Sequence, residues 1–131
     1  MNARVMKVDS SSFFEHLEMV REKDDKGAVV ISTTIQDIHK DEMGHISSGL
    51  YYTLLDATLG TAVLGLVGGI PSTIDMYVQV FKQEQIEKLT CRGYHIQMAG
   101  TTGSGRGDIF DESGNLIASG MATFKVRKET R

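Results

Sequence analysis

Asp56 is the residue whose surroundings in the sequence most strongly suggest chemistry. It is the only charged residue in the segment 48–67, SGLYYTLLDATLGTAVLGLV, whose other side chains are apolar, small or hydroxyl-bearing. Burying a carboxylate costs on the order of several kcal/mol unless it is hydrogen-bonded or reaches a solvated cleft. Two roles are therefore open for Asp56: a structural hydrogen bond to nearby backbone or hydroxyl groups, or a catalytic base or nucleophile.

The start of the same segment supplies hydrogen-bond donors. Ser47, Ser48 and Gly49 stand there, and serine is a favoured residue at a helix start. The free N–H groups of such a start carry about half a positive charge and attract a carbonyl oxygen or a phosphate. Asp56 lies about two helical turns away, too far to meet the same small group within one subunit. We expect a two-fold dimer to bring one subunit's helix start to the other subunit's Asp56.

The elements that position these groups follow from the spacing of apolar residues. The pattern predicts a short amphipathic helix over 11–21, after the hydroxyl residues Ser10–Ser12, and a buried helix over 48–67. Runs rich in Val, Ile and Thr, or alternating in polarity, predict strands. The predicted strands cover 27–37, 72–82, 87–99, 101–111 and 116–126, and a loop covers 38–47. Consecutive strands with short links imply an antiparallel sheet covering the long helix, so the fold class is α+β.

Alternation in the strand 72–82 assigns its residues to two faces. Ile74, Met76, Val78 and Val80 share the predicted buried face, and Thr73, Asp75, Tyr77 and Gln79 share the other. Small residues recur with the same period in the last two strands, at Gly103, Gly105 and Gly107 and at Ala118, Gly120 and Ala122. This pattern favours close approach of a bulky helix, or of another backbone, over merely flexible strands.

Composition limits the classes of function. A chain of 131 residues is expected to form a single domain, with a lead-in over 1–26, a core over 27–126 and a tail over 127–131. A net charge of −3 argues against nucleic acid as a partner. The single Cys91 allows no internal disulfide, and the charge-free stretch 57–74 contains glycines and a proline, so we expect a cytoplasmic protein without a membrane span.

The loop 38–47 contains a cluster of metal-ligand types. His39, Asp41 and His45 lie close together in sequence, but their spacing matches no known metal site, and solvated loop residues are the favoured interpretation. We therefore expect no metal.

The run DEMGHISSGLYYTLLDATLGTA (41–62), with STIDM (72–76) and the final DESGNLIASGMATFKV, resembles the PaaI-like acyl-CoA thioesterases of the hotdog superfamily. The helix motif of that family reads N-x-x-G-x-V-H-G-G-x-x-x-x-L-x-D. Gly44, Ile46, Gly49, Leu54 and Asp56 agree with it. The resemblance implies the hotdog fold, a long central helix wrapped by a curved antiparallel sheet.

The resemblance also implies a site. Asp56 matches the carboxylate that acts as general base or nucleophile, and Thr73 matches the assisting hydroxyl. The amide of Ser48, with Gly49 beside it, matches the donor to the thioester carbonyl. The family's Asn and His positions are Asp41 and Ser47 here, with His45 two residues before Ser47. The implied contacts to the CoA part of the substrate are Ala99, Gly100, Thr101, Thr102 and Arg106, with no separate cofactor.

The implied function is hydrolysis of an acyl-CoA or aroyl-CoA thioester to free acid and CoA by a dimer or tetramer. Because Asp41 and Ser47 depart from the family, a module that binds acyl-CoA without cleaving it is the alternative. A purely structural dimer is a third interpretation. The residues do not identify the acyl group.

Overall fold

A computed structural model describes residues 12–67, 69–81 and 85–127. It contains two α-helices, α1 (Ser12–His16) and α2 (Ser48–Val67), and a 3-10 turn at Asp37–His39. The strands are β1 (Val20–Arg21), β2 (Val29–Thr34), β3 (Ile70–Val80), β4 (Lys88–Ala99), β5 (Thr102–Phe110) and β6 (Leu116–Arg127). They form one antiparallel sheet in the order β1-β2-β4-β5-β6-β3. The predicted α+β class is confirmed.

The core lies between α2 and the face of the sheet that curves around it. Tyr51, Leu54, Leu55 and Leu59 of the helix are fully buried, as are strand residues such as Ile31 and Leu89. The helix contacts five of the strands, β2 to β6, because it runs across the sheet. A helix covered on so many sides needs apolar residues on most of its circumference, which is the pattern that the sequence has.

Small residues in β5 and β6 allow the helix to approach closely, as predicted. Gly103, Gly105 and Gly107 are buried, and so is Gly120 in the neighbouring strand. A Cβ atom built on Gly107 would lie 3.0 Å from Cδ2 of Leu59, and one on Gly120 would lie 2.8 Å from Cδ1 of Leu55. The absent side chains are therefore replaced by leucines of α2, and these strands are packed rather than loose.

The predicted helix over 11–21 was wrong at its end. Helix α1 ends at His16, and Glu18 adopts a left-handed conformation with φ 58°. The Met19 amide donates to the Phe14 carbonyl and the Glu18 amide to the Glu15 carbonyl, which is the bond pattern of a Schellman C-cap. Because a glutamate occupies the position where glycine is usual, no residue type marks this helix end. The short strand β1, which follows, was missed for the same reason.

A β-bulge in β3 corrects the predicted faces of that strand. Thr73 lies opposite Phe124 and Asp75 lies opposite Thr123, so Ile74 has no partner. Thr73 therefore points to the same side as the buried Phe124, toward the helix, and Ile74 is 55% exposed. Strict alternation had placed Ile74 inside and Thr73 outside. Met76, Val78 and Val80 remain on the inner face, as predicted.

The other boundaries agree with prediction to within a few residues, and α2 has the predicted limits. The strand predicted over 27–37 is shorter, because the 3-10 turn begins at Asp37. Parts of three predictions lie outside the described residues: the capping residues Ser10 and Ser11, the strand end at Lys82, and the tail beyond Arg127.

Candidate active site

The carboxylate of Asp56 and the hydroxyl of Thr73 form the closest polar pair of the site. Thr73 Oγ1 donates a hydrogen bond of 2.6 Å to Oδ1 of Asp56. The helix supplies the carboxylate from its third turn, and the bulge in β3 turns the threonine toward it. Asp56 is partly buried and Thr73 is exposed, so the pair can be reached from solvent.

The environment of Asp56 alters its acidity in two opposing ways. Partial burial disfavours the charged form and raises the pKa of Asp56 above its usual value. The hydrogen bond from Thr73 stabilises the carboxylate and lowers the pKa, but burial is the larger effect. The net result is a carboxylate that is a stronger base than an exposed aspartate.

The loop before α2 is folded tightly on Asp41. Oδ1 of Asp41 accepts hydrogen bonds from the backbone amides of Met43 and His45, at 2.9 and 3.0 Å. The Asp41 carbonyl accepts from the Gly44 amide, and Gly44 has φ 84°, a left-handed conformation that glycine adopts without strain. The carboxylate of Asp41 thus holds the shape of its own loop.

The helix start remains accessible. Ser47, Ser48, Gly49 and His45 are all exposed. The Ser47 amide donates to the His39 carbonyl, which anchors the entry to the helix. The first amides of an α-helix have no acceptor within the helix, so those of Ser48 and Gly49 are suited to bind an oxygen of a ligand.

The structure separates this helix start from Asp56 along the helix axis. Asp56 follows Ser48 by eight positions in the helix, a rise of about 12 Å along its axis. The chain therefore has two separate groups of candidate site residues: the Asp56–Thr73 pair, and the loop and helix start that hold Asp41, His45, Ser47, Ser48 and Gly49.

His39 was treated as a solvated loop residue, and the structure corrects this. Its ring is 1% exposed, Nδ1 accepts from the Gln36 amide at 3.0 Å, and Nε2 lies 2.8 Å from the Leu17 carbonyl. With Nδ1 accepting, the proton is on Nε2, which donates to Leu17. Both ring nitrogens are thus occupied within the fold. Over the described ranges, His, Cys, Asp and Glu side chains form no group of three that could hold a metal ion.

The residues predicted to contact CoA are only partly brought together. Ala99 pairs with Thr102 across the turn Gly100–Thr101, and this hairpin lies at the same end of the sheet as Thr73. Arg106 is four residues further along β5, about 13 Å away. Its guanidinium stacks on the ring of Tyr94, 5.0 Å from the ring centroid.

One cation beside the hairpin was missed. Lys125 lies in β6 between Ser72 and Thr102, and it is exposed. A lysine on the outer face of a strand is common, so the sequence around Lys125 does not indicate binding. Only the pairing register of β5 and β6 shows that Lys125 lies beside the hairpin.

The single cysteine does not offer a nucleophile. Cys91 is fully buried, and burial raises the pKa of its thiol to about 12. The thiolate is therefore scarce at neutral pH. In the part of the chain that the structure describes, no helix has the length and apolar character needed to cross a lipid bilayer.

Similar folds occur among solved structures. A protein of the thioesterase superfamily is 25% identical, with a TM-score of 0.84 over 92% of this chain and 93% of that chain. A hypothetical thioesterase from Streptococcus pneumoniae, solved with coenzyme A, is 24% identical, with a TM-score of 0.76 over 86% and 88% of the two chains.

A thioesterase from Haemophilus influenzae is 17% identical, with a TM-score of 0.82 over 91% of this chain and 85% of that one. No protein-family model and no curated protein matches the sequence. The superpositions cover nearly the whole chain, and the long helix and the strand order fit the same architecture. The chain has the hotdog fold found in proteins of the thioesterase superfamily.

Proposed function

We propose that this protein hydrolyses the thioester of an acyl-CoA or aroyl-CoA to the free acid and CoA. The observation that carries the proposal is the 2.6 Å hydrogen bond between Thr73 and the partly buried Asp56. The similar folds support it, since they include named thioesterases and one protein solved with coenzyme A. A carboxylate with a raised pKa at a solvent-reachable position is the group that such a reaction needs.

Asp56 activates the attacking group. Because Thr73 occupies Oδ1, the free lone pairs of Oδ2 are available to take a proton from water, which then attacks the carbonyl carbon. In the second form of the mechanism, the carboxylate itself attacks and expels the CoA thiolate, and water then hydrolyses the mixed anhydride. Both forms release one acid and one thiol for each water consumed. The role of Thr73 is to hold the carboxylate in position.

The amides of Ser48 and Gly49 stabilise the negative charge that develops on the carbonyl oxygen. Loss of one such donor typically costs about 3 kcal/mol of transition-state stabilisation. Because these amides lie about 12 Å from Asp56 of the same chain, the complete site combines the helix start of one copy with Asp56 of another.

An open sheet edge favours this assembly. Strand β3 has eleven residues and pairs on one side with β6, whereas β1, at the opposite end of the sheet, has two residues. A long strand with one unpaired side readily pairs with a second copy. Such pairing around a two-fold axis places Thr73 and Asp56 close to the subunit boundary. A dimer, or a tetramer built from dimers, is therefore the proposed active form.

The CoA moiety binds at the hairpin of Ala99, Gly100, Thr101 and Thr102. Lys125, exposed beside Thr102, neutralises a phosphate there. Arg106 is a weaker candidate, because its guanidinium lies over Tyr94 at a distance from the hairpin.

One observation favours a second candidate function, binding of acyl-CoA without cleavage. The exposed carboxylate of Asp41 can only accept hydrogen bonds when ionised, and it lies in the loop that leads to the oxygen-binding amides. Its charge repels a carbonyl oxygen. A site with this repulsion binds the thioester but polarises it less.

Release of free thiol from a panel of CoA thioesters tests the proposal. Asp56→Asn is expected to keep the fold and to lower kcat by about 10²- to 10⁴-fold, the usual contribution of a positioned base. Asp75→Asn is the matched control, since Asp75 lies on the same strand region but on the outer face, and it should retain full turnover. Undiminished hydrolysis by the Asp56 variant contradicts the assignment. Tight binding with no thiol release by the wild-type protein supports the binding module instead.

A further inference from the structure

A cavity of about 200 Å³ opens beside the first turn of α2. Three separate elements line it: α1, the 3-10 turn and the helix start itself. Its apolar lining consists of Phe13, Leu17, Ile38 and Leu50, and its other lining residues are His39, Ser47, Gly49 and Thr53. None of the four apolar residues is among the predicted site residues.

The polar groups in this lining are largely occupied within the fold. Both nitrogens of His39 are used, by the Gln36 amide and the Leu17 carbonyl, so its ring forms a wall that joins the loop to the end of α1. The hydroxyl of Thr53 donates to the Gly49 carbonyl at 2.7 Å. The described lining contains no lysine, arginine or carboxylate. The cavity therefore suits an uncharged, apolar group.

Two of its apolar side chains are not covered by the fold. Phe13 is 56% exposed and Ile38 is 50% exposed, although both border a concave surface. An apolar ligand in the cavity would remove part of this surface from water, which is favourable.

We infer that this cavity holds the acyl group of the substrate and that it selects apolar acyl groups of intermediate size. The inference rests on the proposed function, because it takes the Ser48 and Gly49 amides as the donors to the thioester carbonyl. The acyl chain begins one bond from that carbonyl, so it must start beside the same helical turn. The cavity is lined by Ser47 and Gly49 at this turn and by Leu50, Phe13 and Leu17 beside it.

The cavity is open on one side, so its volume sets how large a group it can bury. One water occupies about 30 Å³ of liquid, so 200 Å³ accommodates roughly seven waters or a similar number of packed heavy atoms. Hexanoyl, octanoyl and phenylacetyl groups are close to this size. Acetyl leaves most of the cavity empty, and palmitoyl exceeds it. Succinyl places a carboxylate against an apolar lining and is disfavoured for that reason.

The test compares kcat/KM for acetyl-, hexanoyl-, octanoyl-, phenylacetyl-, succinyl- and palmitoyl-CoA in the wild-type protein and two lining variants. Ile38→Trp narrows the cavity. We expect kcat/KM to fall at least tenfold with octanoyl- and phenylacetyl-CoA and to change little with acetyl-CoA. A tenfold loss is about the effect of removing one or two methylenes from a substrate that fits an apolar pocket. Phe13→Ala widens it and shifts the preference toward longer chains. Ile96→Trp makes the same substitution, and Leu116→Ala a comparable truncation, at exposed positions outside the cavity, and both should leave the profile unchanged.

The outcomes separate this inference from the proposed function. If the wild-type protein cleaves thioesters and neither lining variant alters the size preference, the cavity assignment is overturned and the thioesterase proposal stands. If no thioester is cleaved, the thioesterase proposal fails, and calorimetric binding of octanoyl- and acetyl-CoA then tests the cavity. Weaker binding of octanoyl-CoA alone in Ile38→Trp supports the cavity as an acyl-binding site, and equal binding overturns it.

Discussion

Two aspartates in this molecule lie in contrasting surroundings. Asp56 is partly buried in the long helix, and its carboxylate receives a hydrogen bond from one side chain, Thr73. Asp41 is exposed in a loop, and one oxygen of its carboxylate receives two backbone amides. Each carboxylate uses one oxygen in these bonds, but Asp56 is held by a side chain from another element, whereas Asp41 is held by the backbone of its own loop. The same residue type is therefore suited to chemistry in one half of the site and to loop structure in the other.

The largest expected contrast comes from replacing each carboxylate by an amide. Asp56→Asn removes the base, with the large loss of turnover given above. Asp41→Asn keeps an oxygen that can accept both backbone amides, removes the charge and adds an NH₂ donor, so thioester hydrolysis should stay within about threefold of wild type or increase. Steady-state kinetics with one thioester measures both variants. A large loss of kcat in Asp41→Asn, with none in Asp56→Asn, would mean that Asp41 and not Asp56 takes part in the reaction.

A smaller effect is expected from the partner of Asp56. Thr73→Val removes a hydrogen bond to a charged group and should lower kcat/KM about tenfold. Because this bond lowers the pKa of Asp56, its loss should also move the acidic limb of the pH profile to higher pH. Thr73→Ser restores the donor and serves as the control. An unmoved acidic limb in the valine variant would show that Thr73 does not tune the carboxylate.

The smallest effects concern stability, and they have opposite signs. Asp41→Ala removes the acceptor of two backbone amides and should lower the free energy of unfolding by about 1 kcal/mol. Asp56→Asn should raise it at neutral pH. Burial raises the pKa of Asp56 in the folded state, so the ionised carboxylate opposes folding once the pH rises through that pKa. At a pH below the usual pKa of aspartate, the carboxyl group is protonated in both states. The difference in unfolding free energy between wild type and Asp56→Asn should then disappear.

Urea unfolding of the wild-type protein and both variants at neutral and acidic pH measures these effects. If Asp56→Asn destabilises the fold at neutral pH, the carboxylate is part of the structural framework. Asp56 would then have the structural role, a hydrogen bond that stabilises the fold.

Local patterns determined most of the fold. The apolar run with one carboxylate predicted α2, and runs of β-branched residues or of alternating polarity predicted β4, β5 and β6. Gly103, Gly105 and Gly107 fall on one face of a strand and leave it without side chains. This pattern predicted that another element approaches that face closely, and glycine positions can be read directly from the sequence. The early end of α1 could not be predicted, because Glu18 adopts a conformation that usually marks glycine.

The sequence by itself determined that an acidic side chain stands in the buried helix and that donors stand at the start of that helix. Only the tertiary structure decided which groups meet. The bulge at Ile74 turns Thr73 toward Asp56, the register of β6 places Lys125 beside the hairpin, and the packing of α1 encloses the cavity. Each of these depends on pairing between residues far apart in the chain, and a one-residue shift in register reverses the face on which a side chain lies.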